Sequence, residues 1–554
     1  MLLRQGKAMT LRAHNTKGNC DKNGTNVSAS KLRVNLLSRA SIFCQQGDYA
    51  KAQSVYKKIL SGNPDDIDAL FGFGLLAQTL KQRDIAFTIF SKIISLDREH
   101  CQAFFQRGRI YSQKKQYDNA ITDFDCALSI DPDFFEAISS RGIAHSKQLD
   151  FDSALSDFCK AVKIRPQSSD AFYNRALAHK NLNKFDLAVA DYTQAIALNP
   201  NHFQALNNRG MAFRELRLFD KAINDFDSCI ALKADFADGY WNKALTHLMI
   251  GDYENAWRLY EHRWDSPNFT SRKRNFDKPL WLGNPSLAGK TILLHSEQGL
   301  GDSLQVSRYI KKFEELSCTV LLEVERPLMR IMECLLPATQ IIEKDSDLPA
   351  FDFHCPLMSL PLAFQTSVKT IPFSSSYLSA KPDRVKWWQD YLGKAAKPRI
   401  GLTWRGNPDN RNDQRRSIEL TDIIHDLSPD FDWYSLQMEV SDAEECMINN
   451  INHLTHFGSL IGDFAETAAF CEVLDTVICV DTSIAHLCGA IGQPVHLLLS
   501  YNADSRWHAC GDSTPWYESM RIHRQGADRR WYEPLQCAIT EIVTSQECRK
   551  NPQH

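Results

Sequence analysis

No uninterrupted apolar run in this 554-residue chain is long enough to cross a bilayer, which leaves no candidate for a helical membrane span. Charge of one sign is not in excess either: 64 Lys and Arg oppose 67 Asp and Glu, and the formal net charge is −3. With a pI near 6.6 there is no electrostatic case for nucleic acid. The sixteen cysteines contain no CxxC pair, which argues against a zinc site or a disulfide framework built on them. Several, such as Cys126, Cys159 and Cys229, fall where a helix needs a small apolar residue. They read as reduced packing residues of a cytoplasmic protein. The first thirty residues carry Arg4, Lys7, Arg12, Lys17 and Lys22 but no continuous apolar stretch, so residues 1–30 are expected to be a basic, disordered lead and not a secretory signal. The length calls for two to four domains.

What is present is a strict period. Ala52, Ala86, Ala120, Ala154, Ala188, Ala222 and Ala256 stand 34 residues apart, and each is followed four residues later by an aromatic: Tyr56, Phe90, Phe124, Phe158, Tyr192, Phe226 and Tyr260. Gly108, Tyr111, Ala127 and Pro132, then Gly142, Ala161 and Pro166, extend the pattern. This spacing resembles the tetratricopeptide repeat, a helix-turn-helix unit that stacks into a superhelix. The small residue lets the two helices of a hairpin approach, and the aromatic one turn later is expected to fill the gap between neighbouring hairpins. Seven repeats over residues 31–265 are expected, with a concave surface suited to an extended polypeptide. Asn174, Asn208 and Asn242 recur at one position of the last three repeats, where earlier repeats have Ser38, Gly72, Gln106 and Ser140. Their amides offer donors and an acceptor to a peptide backbone; the other reading is three solvated helix residues.

The register ends after Tyr260 and Trp264. Residues 266–290, with Pro267, Pro279, Gly283, Pro285 and Gly289, read as a linker. Beyond Lys290, short β-rich runs alternate with helical stretches: 291–294, 319–324, 399–404, 433–436, 476–480 and 495–499. That alternation predicts an α/β region with parallel sheets in two Rossmann-like halves, 291–390 and 391–545, with the seam near 386–397.

Three stretches carry candidate chemistry. The first strand leads into Ser296-Glu297-Gln298-Gly299-Leu300-Gly301-Asp302, where Gly299 and Gly301 would permit a sharp turn into a helix and Asp302 would face the cleft at the carboxyl end of the sheet. Asp302 is also an ordinary helix-capping residue. The strand ending at Val480 runs into Asp481, Thr482, Ser483 and His486, where hydroxyls and a helix N-terminus would hold a diphosphate; the alternative is a capped helix with a structural histidine. In the third stretch, Arg405 is the expected diphosphate cation, with Arg415 and Arg416 as alternatives, and Gln437 is expected to contact a nucleotide base.

Four motifs in order, HSEQGLGDSLQVSRYI, GLTWRGNPDNRNDQRRSI, DFAETAAFCEVLDTVICVDTSIAHLCGAIGQPV and SRWHACGDSTPWYESMRIHRQ, resemble bacterial glycosyltransferases of GT-B fold that are fused to tetratricopeptide repeats. The last part is similar to the heptosyltransferase family, and the layout resembles protein O-GlcNAc transferases. The resemblance implies an inverting, metal-independent transferase moving a sugar from a nucleotide-sugar to a hydroxyl, with an acceptor-side half (291–390) and a nucleotide-sugar side (391–545). It assigns the general base to Asp302 and donor binding to Asp481, Thr482 and Ser483, with His295 as a further catalytic candidate. The chain departs from the pattern at Ser483, where glycine is usual, and at Asp504-Ser505-Arg506-Trp507, where repeat-fused relatives often read DWRW. No cofactor beyond the co-substrate is implied, and Asp123-Asp125 and Asp131-Asp133 are expected to be turn and helix-surface residues of the repeats. The expected partners are a protein or peptide in the repeat groove and the donor, with a homodimer as a further expectation. The rival reading is a repeat scaffold with an inactive transferase-like domain.

Overall fold

The computed structural model describes residues 24–336, 339–408 and 413–550. Of the expected basic lead, residues 1–23 lie outside the described residues. The rest does not conform to the expectation, because the first helix already begins at Gly24 and runs to Gln46.

Fourteen helices then form seven hairpins, from Gly24–Gln46 with Tyr49–Gly62 to Ala237–Met249 with Tyr253–Tyr260. All seven period-setting alanines are fully buried, and the aromatics that follow them are at most 6% exposed. The rings do more within a hairpin than the spacing implies. A Cβ on Gly74, Gly108 or Gly142 would lie 2.7 Å from Phe90, Phe124 or Phe158 of the same hairpin, so glycine on one helix makes the slot for the ring on the other. Tyr56 also reaches Gly72 of the next hairpin. The turn inside every hairpin passes through one left-handed residue: Gly47, Lys81, Lys115, Leu149, Asn183, Arg217 and Gly251, with φ between 57° and 79°. A left-handed residue ends a helix by turning its last N–H groups back onto free carbonyls, so the break is built into the backbone at each repeat.

Polar burial repeats too. Arg107 grips Asp123 through two hydrogen bonds of 2.8 and 2.7 Å. Arg141 and Arg175 do the same to Asp157 and Asp191. Asp123, expected on a helix surface, is therefore buried, because the arginine sixteen residues earlier neutralises it.

The chain folds as two compact units, the first ending at Ala212 and the second beginning at Phe213. The seventh hairpin thus belongs with the α/β region, not with a separate repeat domain of 31–265. Its Ala244, Leu248, Tyr253, Trp257 and Tyr260 share one core with Ile292, Leu294 and Tyr309. Trp257 Nε1 donates to the Thr366 carbonyl at 3.0 Å, and the Ala509 amide donates to the Met249 carbonyl at 2.8 Å.

Two all-parallel sheets follow. The first comprises β1 (Thr291–His295), β2 (Thr319–Val324), β3 (Gln340–Glu343) and β4 (Phe353–Pro356), in the order β3-β2-β1-β4. The second comprises β5 (Arg399–Thr403), β6 (Asp432–Ser435), β7 (Leu454–His456), β8 (Thr476–Val480), β9 (Val495–Leu499) and β10 (Met520–Arg524), in the order β10-β9-β8-β5-β6-β7. Parallel strands need crossovers, and the helices that supply them cover both faces of the central strands, so β5 and β8 are buried throughout. The expected linker is packed: Trp281 is 3% exposed, and its amide donates to the His354 carbonyl at 2.8 Å, extending the β4 edge. The seam lies earlier than 386–397, since the Tyr377 and Leu378 amides already donate to the Ala490 carbonyl in the second half. The fully buried Trp388, on the helix Pro382–Leu392, donates to Glu466 and packs on Phe470.

Among the described residues no helix is long and apolar enough to cross a membrane. The cysteines with described side chains are free thiols.

Candidate functional site

The carboxyl ends of β1 and β8 each open into a turn and a helix, Leu300–Val306 and Ser483–Ile491, and these two helices pack together. Gly301 is the reason they can. A Cβ there would sit 2.7 Å from His486 Cδ2 and 3.5 Å from Ser483 Cα. Gly299 plays no such part in the turn, since its φ of −80° is open to any residue. Asp302, Thr482, Ser483 and His486, chosen from two distant stretches of sequence, are thereby neighbours.

Asp302 is 8% exposed and has two partners. Oδ2 accepts from the Gly299 amide at 2.9 Å, which is the capping role. Oδ1 lies 2.7 Å from Nη2 of Arg506 without accepting a well-directed hydrogen bond. Arg506 is the hub. It also donates through Nε to Asp504 at 2.8 Å and through Nη1 to His486 Nε2 at 3.2 Å. Burial opposes its charge, yet Asp302, Asp504 and Asp481 together keep it protonated.

Because an arginine only donates, His486 Nε2 must accept, and its Nδ1–H donates to the Tyr517 hydroxyl at 2.9 Å. Burial, reinforced by Arg506, holds this imidazole far below its ordinary range, so it is neutral. Stacked on Trp507 at 4.9 Å, His486 orients Arg506. Burial pushes the Asp481 carboxyl up, with Arg506 opposing, and the Asp481 carbonyl accepts from Arg416 at 2.8 Å. Thr482 is the N-cap of the late helix, yet its hydroxyl is buried and has no partner, and it does not cap. Ser483 opens the helix and is partly buried, beside amides that have no intrahelical acceptor.

Three expectations fail on geometry. Arg405 donates to the Glu444 carboxylate and the Glu439 carbonyl, both at 2.8 Å, so its charge is already met; Arg506 and Arg416 stand at the late turn instead. Gln437 folds its amide onto the Arg405 backbone, accepting at 3.4 Å and donating at 3.1 Å, so both ends of the amide are already engaged. His295 is 2% exposed at the end of β1, with Nε2 3.3 Å from His354 Nδ1 and its ring against Phe276. Burial pushes it down to about 3, and it does not line the cavity described next.

That cavity, about 620 Å³, is what the sequence pattern did not reveal. Its walls join Trp241, Tyr253, Trp257 and Tyr260 of the seventh hairpin to Phe269, Gln298, Asp302, Asp504 and Arg506. Beneath it lies the fully buried Arg263, which donates to both oxygens of Glu297 at 2.9 and 3.0 Å. Glu297 also accepts from the Met358 amide, so this pair locks the glycine turn to the end of the repeats. Glu297 adjoins the glycine turn in sequence, but nothing local points to Arg263.

In the other direction, Asn174 and Asn208 are partly buried. Asn208 donates to the Tyr173 hydroxyl at 3.2 Å and accepts from Lys180 at 3.0 Å. Asn242, in the second unit, is 8% exposed and is not a solvated residue.

The protein FlbA of Caulobacter vibrioides is 25% identical over 317 residues, which is 52% of this chain and 52% of FlbA, so the chain matches about half the length of that relative. A crystal structure of YrrB, described as a tetratricopeptide-repeat protein with an unusual peptide-binding site, is 21% identical, with a TM-score of 0.32, covering 34% of this chain and 98% of YrrB. A structure of MamA is 20% identical, with a TM-score of 0.29, covering 30% of this chain and 92% of MamA. Sequence models of the tetratricopeptide repeat match residues 101–134, 169–202 and 203–236, each one full period of the hairpin array. The helical array is therefore built of tetratricopeptide repeats.

Proposed function

We propose that the second unit is an inverting, metal-independent glycosyltransferase that moves a sugar from a nucleotide-sugar to a hydroxyl, and that the repeats bind the protein acceptor or a partner. The single observation that carries this reading is the buried Thr482 hydroxyl, which has no protein partner at the N-terminus of a nine-residue helix facing Arg506 and Asp302. A buried polar atom without a partner costs stability unless something else engages it, and a helix N-terminus favours an anion. The donor diphosphate meets the Thr482 hydroxyl, the amides at Ser483, and the guanidinium groups of Arg506 and Arg416. As Arg506 turns to the diphosphate it leaves Asp302. The freed carboxylate takes the proton of the acceptor hydroxyl, whose oxygen bonds to the anomeric carbon from the face opposite the nucleotide. The bond from that carbon to the diphosphate oxygen breaks, and the leaving charge spreads over the helix end and the two arginines. The acceptor enters through the aromatic cavity, whose rings suit the apolar face of a sugar or a peptide side chain.

Titration calorimetry with UDP, GDP, ADP and CDP tests this. One nucleotide is expected to bind saturably, and Asp481→Ala with Thr482→Ala is expected to abolish it. A folded protein that binds none of the four sinks the transferase reading. The second reading, a repeat scaffold with an inactive α/β region, is favoured by one observation: Asp302 and Arg405 are both already paired within the chain.

A further inference from the structure

We propose that His496, His523 and Glu541 form a zinc site that clamps the C-terminal helix to the edge of the second sheet. β9 and β10 run parallel, with His496 opposite Arg521 and His523 opposite Leu498. Both histidines therefore lie on the same face of the sheet, one diagonal step apart. His496 Nδ1 and His523 Nε2 are 3.0 Å apart. The helix Tyr532–Lys550 covers that face with the buried Leu535, Ala538 and Ile542, and delivers the Glu541 carboxylate to 3.8 Å from His496 Nδ1. All three ligand atoms lie within 4.8 Å of one another, and among the described residues this is the one group of three His, Cys, Asp or Glu side chains that does so.

These separations suit a tetrahedral ion. Two ligand atoms about 2.0 Å from zinc stand roughly 3.3 Å apart, so the imidazoles need shifts of only a few tenths of an ångström and the carboxylate of the half-exposed Glu541 moves in towards them. Two imidazole nitrogens and a carboxylate oxygen are a donor set zinc accepts, with water as the fourth ligand. Glu541 is about half exposed, leaving a path for the ion and for the water ligand. Arg521, opposite His496 in the strand pairing, is mostly exposed and has Asp512 within 3.9 Å to offset its charge. The two strands fix the imidazoles in place, and the ion would tie to them a helix otherwise held by its apolar face and the Gln536–Asp426 hydrogen bond.

The full chain, stripped with a chelator, is titrated with Zn²⁺ against a chromophoric competitor, and with Co²⁺ for the visible absorption of a tetrahedral site. One zinc per chain is expected, with a raised thermal midpoint. His523→Ala is expected to bind none. Glu541→Gln, at a half-exposed position, should fold normally and bind at least about tenfold more weakly. A wild-type chain that binds neither metal, or binding that survives Glu541→Gln unchanged, overturns the proposal. None of these readouts involves the nucleotide.

Discussion

The repeats and the α/β unit both bury aspartates against arginine, but they do it differently. In the repeats each buried aspartate has its own arginine: Asp123, Asp157 and Asp191 each take two hydrogen bonds from the arginine sixteen residues earlier. In the α/β unit, Asp302 after β1, Asp481 after β8 and the more exposed Asp504 after β9 all lean on Arg506. A two-point carboxylate pair is complete and has no reason to move. One cation shared by three carboxylates can exchange partners at little cost, and that is the property a binding site needs.

Breaking a complete pair should have the largest effect. Arg107→Ala leaves Asp123 buried and unmatched and is expected to cost about 3 kcal/mol in thermal unfolding, with nucleotide binding intact. Two glycines sharpen the comparison, because an added Cβ meets a ring at 2.7 Å in both units. Gly108→Ala should cost about 2 kcal/mol of stability by pressing on Phe124 and leave nucleotide affinity unchanged, whereas Gly301→Ala should part the two site helices and lower both. Equal losses of affinity in the two variants would contradict the distinction. Thr482→Val comes next. Deleting a hydroxyl that has no protein partner should leave the thermal midpoint in place while weakening nucleotide binding by about 1.4 kcal/mol, a factor of ten. A drop in midpoint with binding preserved would make Thr482 structural.

The smallest effect concerns pH. His295 is held down at about 3, against about 6.5 when unfolded. Below pH 6.5 the unfolded chain takes up a proton that the folded one refuses, so stability falls with pH until about 3 and is unaffected above 6.5. His295→Phe should relieve about 0.8 kcal/mol of that loss at pH 6, measured by denaturant unfolding at pH 6 and pH 8. Relief of the same size at both pH values would refute the assignment.

The repeats were legible because one period places every alanine and aromatic on the buried side of a hairpin. Six strands were legible as apolar runs. The four that were missed, β3, β4, β7 and β10, are the edges of the two sheets. Edge strands face solvent on one side, and runs such as Gln340–Glu343 and Met520–Arg524 carry the charge that goes with it. The placing of Asp302, Asp481, Thr482 and Ser483 at strand-to-helix turns was readable because a strand, a turn and a helix have a local signature. Arg405 was misread because its partner, Glu444, is remote in sequence and has no motif of its own. The reverse held for Arg506, which stood unremarked beside the departure at Ser505 and sits at the centre of the candidate site. Convergence of remote charges has no local period, so sequence pattern alone does not reveal it.

The shared core of the seventh hairpin and the first sheet sets where this chain can be divided. Cutting at the visible end of the repeats, near residue 265, would strip Tyr253, Trp257 and Tyr260 from Ile292 and Leu294 and remove one wall of the cavity beside Asp302. The shortest fragment able to fold with that cavity intact therefore begins inside the repeats. That hairpin is a repeat by pattern and a cavity wall by position.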